Sequence, residues 1–272
     1  MTRNLYANLD DWERRFSYDV DLAAADRTEL EKILDSASRD VDIHCRTHFF
    51  AQTRTVILDG SGSKELRVPD LLTITSIKLD QNRDRVYEDT LVAADYRLLR
   101  PNHEFPYDTL PKRLIRLDTQ IGQFSVFLAQ EELVEIVGEW GFVNNIEDTG
   151  DTVQDATEQS DTQLTLSVTA GTNFSVGQTL KLGDEQEYVS GISANILAVA
   201  RGVNGTAAVV HANASVINRY TYLPEVRDAT LIEAVRQWKR KELAFVAREG
   251  SLQEGFDVDA ARLLQDFVRY DQ

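Results

Sequence analysis

The clearest hydrophobic pattern in the chain lies between residues 223 and 248. Apolar side chains recur there at helical spacing, at Leu231, Val235, Trp238 and Phe245, so they share one face of a helix. Pro224 suits the first turn of that helix, because the N–H that proline lacks would have no partner there in any case. The pattern predicts a long helix whose apolar stripe is buried in the core of the protein.

A second helical pattern lies near the N-terminus. Its apolar positions recur every three or four residues, at Leu30, Leu34, Ala37, Val41 and Cys45. Asp26 followed by Glu29 forms a capping box at its start, which predicts a helix over residues 27–46. Residues 5–16 repeat the same spacing over a shorter stretch, so we expect a short helix there as well.

After residue 50 the apolar positions alternate with polar ones, as they do in β-strands. The alternation predicts strands at residues 53–58, 65–68, 74–79, 96–99, 114–117, 124–128 and 133–140. The turn-forming residues 59–63 lie between the first two of these, so we expect those two strands to form a hairpin. Residues 83–95 and 100–112 are charged or rich in proline, and they are predicted to be loops.

Residues 144–161 hold six carboxylates and almost no large apolar side chain. Because the carboxylates lack the spacing of a calcium loop, we favour an acidic linker here. Residues 163–220 are rich in Thr, Val, Gly and Ser, with alternating apolar positions and a strong hairpin-turn signal at Asn204 and Gly205. This second stretch is predicted to be a small β module with strands at residues 179–182, 187–190 and 196–200.

These elements predict an α+β fold. We expect a helical core, made by the long N-terminal and C-terminal helices, with a small antiparallel β-sheet and an inserted all-β module. The predicted domain is discontinuous and comprises residues 1–143 and 221–272, and the inserted module, a small β-barrel or sandwich, comprises residues 144–220. The apolar stripe of the C-terminal helix is too large to be covered by the module alone, so the segments on either side should pack on each other.

The composition argues against several classes of function. A formal charge of −16 in 272 residues argues against a surface that binds nucleic acid by phosphate neutralisation, because that mode needs clustered Lys and Arg. A single Cys allows no intramolecular disulfide and indicates synthesis in a reducing compartment. The chain has no apolar run of about 18 residues, the length typical of a membrane span, so we expect no membrane association.

No catalytic, cofactor-binding or metal-binding residue is predicted, and we do not expect an enzyme. His44, Cys45 and His48 invite a metal interpretation, but Cys45 continues the apolar stripe of its helix and the spacing fits no common metal motif. His103 and His211 are expected at the surface. A carboxylate pair such as Glu104 with Asp108 would be typical of a glycosidase only if the two side chains met in space.

Several segments taken together resemble the head-tail connector (adaptor) proteins of tailed bacteriophages. The resemblance is carried by AS at 37–38, RTHF at 46–49, LRVPDL at 66–71, ITSI at 74–77, VEIVGEWGF at 134–142 and the final helix. It covers residues 22–142 and 222–250. In that family the strand ending in Trp-Gly-aromatic leads almost directly into the last helix, whereas here residues 144–220 intervene.

The intervening block is itself similar to small β modules of phage structural proteins. That similarity rests on residues 177–182, Glu187, residues 201–206 and His211.

The resemblance implies a structural protein of the virion neck, made in the host cytoplasm. It would form a ring of identical subunits, about twelve, in which each copy uses two different surfaces. Its partners would be the portal protein and a head-closure (stopper) or tail-terminator protein. Genomic DNA would pass through the ring without specific recognition, which suits an acidic protein. The alternative is a carbohydrate- or receptor-binding virion component that uses the β module through Tyr188 or Tyr222.

The C-terminal tail is the segment that the resemblance links to the portal. Residues 258–268 form a short amphipathic run, and an amphipathic helix can dock in a partner's groove. The residues predicted to contact the portal or a neighbouring copy are Arg236, Trp238, Lys239, Arg240, Phe256, Leu264, Phe267 and Tyr270.

Overall fold

The computed structural model describes residues 4–16, 24–100, 111–142, 145–243 and 255–269. In these residues the chain forms four α-helices and fourteen β-strands, and the strands lie in three antiparallel sheets. The helices are α1 (Leu9–Phe16), α2 (Ala24–Cys45), α3 (Pro224–Leu243) and α4 (Val258–Leu264). None of the described helices is long and apolar enough to cross a membrane.

The strands follow one another in two blocks. The first block contains β1 (Gln52–Leu58), β2 (Glu65–Leu79), β3 (Asp89–Leu91), β4 (Tyr96–Leu99), β5 (Lys112–Leu117) and β6 (Val134–Trp140). The second contains β7 (Ile146–Thr152), β8 (Glu158–Gln159), β9 (Thr165–Ser167), β10 (Thr179–Leu182), β11 (Glu185–Ser193), β12 (Ile196–Ala200), β13 (His211–Ala212) and β14 (Val216–Tyr220).

The predicted fold class is wrong, because the protein is mostly β. About 34% of the described residues are in strands and 25% in helices, so the structure is not a helical core with a small sheet. Helical periodicity is strong over long segments such as residues 27–46. Twelve of the fourteen described strands have only two to seven residues. Such short strands give a much weaker periodic pattern, so the sequence pattern gave the helices too much weight.

The chain divides into two compact units. One comprises residues 1–49 together with 145–272, and the other comprises residues 50–144. This division differs from the discontinuous domain and inserted module predicted from the sequence, and that assignment stays a prediction.

Three helices of the first unit, α1, α2 and α3, share one apolar cluster. Leu231 and Ala234 of α3 lie in it with Leu30, Leu34 and Ala37 of α2. Val235 and Trp238 pack against the same cluster, as the apolar stripe predicted, while Phe245 lies outside the described residues. Segments nearly 200 positions apart in the sequence therefore close on each other.

The six-stranded sheet of the first unit has the order β7-β14-β10-β11-β12-β9. It encloses its own apolar cluster, which includes Leu166, Leu180, Val189 and Leu197. The acidic linker predicted at residues 144–161 is wrong, since β7 and β8 lie there.

Asp151 shows how an acidic segment can still form a strand. Its buried carboxylate accepts backbone N–H bonds from Thr152, Thr169 and Ala170 at 2.8–3.0 Å. Burial raises the pKa of Asp151, but these N–H donors outweigh burial and leave the pKa below its ordinary value. The carboxylate therefore fixes the local backbone of the sheet.

The second unit is a six-stranded sheet in the order β1-β6-β2-β5-β4, with β3 beside β2. The hairpin predicted between residues 53–58 and 65–68 is wrong, because β1 pairs with β6 over its whole length. The two strands predicted at 65–68 and 74–79 are one strand, β2, and Pro69 lies where its register with β5 shifts. A bulge tolerates proline because no ladder N–H is needed there.

Trp140 closes the core of this second sheet. Its side chain is fully buried, and its indole Nε1 donates to the backbone carbonyl of Arg54 at 3.0 Å. The strand predicted at residues 124–128 is not formed, although Phe127 is buried in the same core.

Candidate functional site

The predicted contact residues of α3 mostly pack within the first unit. Arg236 pairs with the buried Glu233, and its Nε donates to the same carboxylate at 3.0 Å. Trp238 lies 6.2 Å from Trp12, ring centre to ring centre. Lys239 is exposed, whereas Arg240 is half-buried.

The described part of the C-terminal tail also packs on this unit. Phe256 stacks on His44 with ring centres 4.3 Å apart, Leu264 is fully buried, and Phe267 meets Phe49 edge to face at 5.9 Å. Tyr270 lies outside the described residues. A role for these side chains in binding a partner stays a prediction.

Glu233 joins the tail to α3, a contact that no sequence pattern indicated. One carboxylate oxygen binds Arg236, and the other accepts the backbone N–H of Asp257 at 3.2 Å. A single glutamate in a charged helix carries no signal that it is buried, so only the tertiary structure reveals this contact.

The trio His44, Cys45 and His48 is not among the described groups of side chains close enough to hold one metal ion. Burial, with a smaller effect of Asp42, raises the pKa of the Cys45 thiol to about 12. A thiol that stays protonated is a poor metal ligand. Cys45 therefore belongs to the apolar stripe.

Beside this trio, Tyr6 and Asp42 form a buried pair that the sequence did not indicate. The Tyr6 hydroxyl donates to Asp42 and accepts the backbone N–H of Phe49 at 2.9 Å. Arg39 lies 3.1 Å from the other oxygen of Asp42 and 5.3 Å from the Tyr6 ring centre. Burial nevertheless raises the pKa of Asp42 to about 7.

The densest polar site in the described chain lies in the β-rich part of the first unit. We call it the Glu185 cluster, and it consists of Glu185, Glu187, Arg201 and His211. Alternate residues of β11 point Glu185 and Glu187 to the same face, as the pleat of a strand requires. The surface position predicted for His211 is wrong, because its side chain is only 7% exposed.

Five hydrogen-bond contacts converge on the Glu185 carboxylate. Arg201 donates its Nε at 2.6 Å and its Nη2 at 2.8 Å. The backbone N–H groups of Gly202 and Val209 donate at 3.0 and 2.8 Å, and His211 Nε2 lies at 2.9 Å. Burial raises the pKa of Glu185, but these donors outweigh it and hold the pKa below its usual range.

Glu187 is the second buried acid of the cluster. It lies 2.9 Å from Arg201 Nε and accepts a hydrogen bond from Gln159 at 3.3 Å. Burial raises its pKa to about 7, although the charge of Arg201 opposes the rise. The cluster therefore pairs one firmly ionised glutamate with one that gains a proton near neutral pH.

The Glu185 cluster has the side chains of a metal site, but the carboxylate of Glu185 is already fully hydrogen-bonded within the protein. Ligand atoms of Glu185, Glu187 and His211 lie within 4.8 Å of one another. A carboxylate has about four lone-pair positions, and the five contacts already occupy those of Glu185. The Arg201 guanidinium supplies the positive charge, so we interpret the cluster as an ion network that fastens residues 201–211 to β11.

A buried amide network holds the N-terminal segment to the same sheet. Asn4 and Asn204 exchange amide hydrogen bonds of 2.8 and 2.9 Å. Asn204 also donates to Gln186 at 2.7 Å, and Thr179 donates to Asn4 at 3.1 Å. The turn predicted at Asn204 and Gly205 is formed, with left-handed φ angles of 57° and 80°. It does not close a hairpin, because β12 before it pairs with β11 and β9, whereas β13 after it pairs with β8.

The loop after β2 carries a second group of ligand-type side chains. Asp80, Asn82 and Asp84 alternate as in the first positions of a calcium loop, and oxygens of Asp80, Asp84 and Glu88 lie within 4.8 Å of one another. These oxygens could hold a hard cation such as Ca²⁺. The hydrogen bonds within the loop explain its shape without an ion, so we assign it no ligand.

Replacing Asp80 with alanine is expected to lower the unfolding free energy by about 2 kcal/mol, because two backbone N–H groups of the loop lose their charged acceptor. The Asp80 carboxylate accepts the backbone N–H groups of Arg83 and Arg85, each at 2.8 Å. The measurement is the urea midpoint at unchanged slope. Glu88→Ala, at an exposed position of the same loop, is the control, and equal effects of the two variants would contradict this role.

A polar cleft of about 200 Å³ lies in the first unit. Its lining includes Arg14, Arg219 and Arg227 together with Asp11 and Glu147. Arg219 pairs with Glu147 at 3.1 Å, so charges of both signs compensate there and no ligand class is indicated.

The remaining candidate residues fall into two groups. His103, Glu104 and Asp108 lie outside the described residues. Tyr188 is 8% exposed, and Tyr222 packs 4.8 Å from Tyr6, ring centre to ring centre. Both tyrosine rings therefore pack inside the protein, and neither is an exposed flat surface on which a sugar ring could stack.

No protein-family model matches this sequence, and no curated protein matches it.

Proposed function

We propose that this chain is a structural head-tail adaptor of a tailed-phage virion. Copies form a ring of about twelve subunits through heterologous contacts. The ring docks beneath the portal, extends the DNA channel and receives the head-closure or tail-terminator protein. The chain is made in the host cytoplasm and acts at the neck.

The observation that supports this proposal most is the packing of α2 on α3. The resemblance to adaptors rests on two segments that are separated in sequence by β7 to β14. Their helices bury Leu34 and Leu231 in one cluster. The strand with the Trp-Gly-aromatic ending is β6, whose Trp140 is fully buried in its own sheet.

The charge of the chain is consistent with a lining that DNA slides past. An excess of carboxylates gives a negative potential, which disfavours adsorption of a phosphate backbone. Portal contact is assigned to α3 and the tail. Lys239 is exposed on α3, and Val258 and Leu263 of α4 are 60% and 37% exposed.

The test is the assembly state of the purified full-length chain. We expect native mass spectrometry to give a closed oligomer of about twelve copies, and negative-stain images to show rings with a central channel. A chain that stays monomeric up to high concentration, both alone and with portal rings, would contradict the adaptor proposal.

A further inference from the structure

The edges of the described sheets differ in how well they are protected against pairing with another chain. Natural edge strands are usually short, charged or bulged. β3 and β9 have three residues each, β4 has four, and β8 and β13 have two. β7 has seven residues, but it carries Glu147 and Asp148 and its register with β14 is bulged.

β1 has little of this protection, because its one charged side chain, Arg54, lies over the ring of Trp140 in its own sheet. It is seven residues long and keeps an unbroken register with β6 from Gln52 to Leu58. It contains neither proline nor an acidic residue, and Ile57 is 49% exposed. Within the described part of the chain β1 pairs with β6 alone, so its outer edge offers a regular row of backbone donors and acceptors.

The opposite edge of the same sheet, β4, has only four residues, but its side chains complement those of β1. Val56 and Leu58 of β1 lie half-buried against the core of this sheet, and so do Tyr96 and Leu98 of β4. In each strand the two residues are two positions apart and therefore share a face. At each of the two edge strands, a pair of apolar side chains therefore remains only partly buried.

We propose that β1 pairs with β4 of a second copy of this chain, so that the sheets of neighbouring copies become continuous. Val56 and Leu58 would then lie beside Tyr96 and Leu98 of that copy on one face of the joined sheet, as cross-strand neighbours do. Because β1 and β4 are different edges, the contact is heterologous and repeats around a ring. This inference rests on the proposed function.

Cysteine cross-linking tests the pairing. The chain has a single natural Cys, and it is buried, so new surface thiols react alone. Ile57→Cys and Arg97→Cys place thiols on the outer face of each strand. We expect a short bis-maleimide to link the two variants when they are mixed, and to leave each variant mostly unlinked by itself. A chain with both substitutions should give a ladder of linked copies.

Leu164→Cys, at a position 64% exposed in the first unit, is the matched control and should not link to either variant. Rings whose copies fail to link through residues 57 and 97 would overturn the β1–β4 pairing and leave the adaptor proposal intact. Linking of Ile57→Cys to itself would also overturn it, because β1 would then pair with another β1. A wild-type chain that stays monomeric both alone and with portal rings contradicts the adaptor proposal itself.

A second variant tests the same contact without a cross-linker. Ile57→Lys introduces the charge that natural edge strands use against pairing. Because residue 57 is exposed, we expect an unchanged circular-dichroism spectrum and at least a tenfold weaker association. Val86→Lys, at an exposed loop position of the same unit, should leave association unchanged. Equal association of the two variants would overturn the pairing.

Discussion

Replacing Glu185 with alanine is expected to lower the free energy of unfolding by about 3–5 kcal/mol, the range typical of removing one partner of a buried ion pair. Arg201 would remain with a side chain only 4% exposed and without its main counter-ion. The N–H groups of Gly202 and Val209 would lose their acceptor as well. The measurement is the denaturant midpoint, together with amide exchange of residues 201–211, which should rise most.

Asp184→Ala is the matched control, since Asp184 is the exposed neighbour of Glu185 and surface substitutions usually change stability by about 0.5 kcal/mol or less. A second variant tests the mechanism. Removing both charges, as Glu185→Leu with Arg201→Met, should recover part of the lost stability at about pH 6, because Arg201 is then no longer buried without its counter-ion and Glu187 is still protonated. A Glu185→Ala effect no larger than that of Asp184→Ala would contradict the role of this carboxylate.

Stability is expected to fall as the pH rises from about 5 to 8, because two buried carboxyls must then lose a proton. The pKa of Glu187 is raised from 4.5 to about 7, and that of Asp42 from 3.8 to about 7, both chiefly by burial. The folded state therefore binds these protons more tightly than the unfolded state. The stabilisation is complete below the unfolded pKa and is lost as the pH rises through the folded pKa.

Integrated from pH 5 to 8, each carboxyl is expected to remove about 2–3 kcal/mol of stability. Glu187→Gln and Asp42→Asn keep the shape of each side chain but cannot ionise, so each variant should flatten the pH profile relative to wild type. The measurement is the urea midpoint at several pH values. Glu185 acts in the opposite sense, since its pKa is lowered, and its contribution is lost only at more acidic pH. Parallel wild-type and variant profiles would contradict this assignment.

The local elements were largely predictable because their signal is local. The apolar spacing of residues 27–46 and 223–248 matches α2 and α3 as far as they are described, and the alternation at residues 179–182 and 196–200 matches β10 and β12. The strand at residues 124–128 was wrongly predicted, because alternation alone does not supply a partner strand.

Strand pairing was not predictable in the same way. A turn-rich segment between two strand patterns indicates a hairpin, yet β1 pairs with β6, some 80 residues away. The acidic residues 144–161 indicated a linker, yet β7 forms there because β14 supplies its ladder and Asp151 finds backbone donors. Long-range partners decide such strands, and a single sequence does not reveal them.

The buried polar sites were also predictable only in part. The sequence singled out Glu187, Arg201 and His211 in one motif, and the structure brings them together. It gave no sign that Glu185 is the residue on which the contacts converge, or that Asn4 reaches Asn204 across 200 positions. A buried carboxylate or amide has the same chemical identity as an exposed one, and only its surroundings distinguish them.

By itself the sequence determined the positions of the long helices, the change to β structure after residue 50 and the acidic charge, because these depend on spacing and composition along the chain. The tertiary structure alone decided the predominance of β-sheet, the two compact units, the pairing of β1 and the burial of the Glu185 cluster. These features depend on which distant segments meet, since burial and hydrogen bonding are satisfied in space and not along the chain.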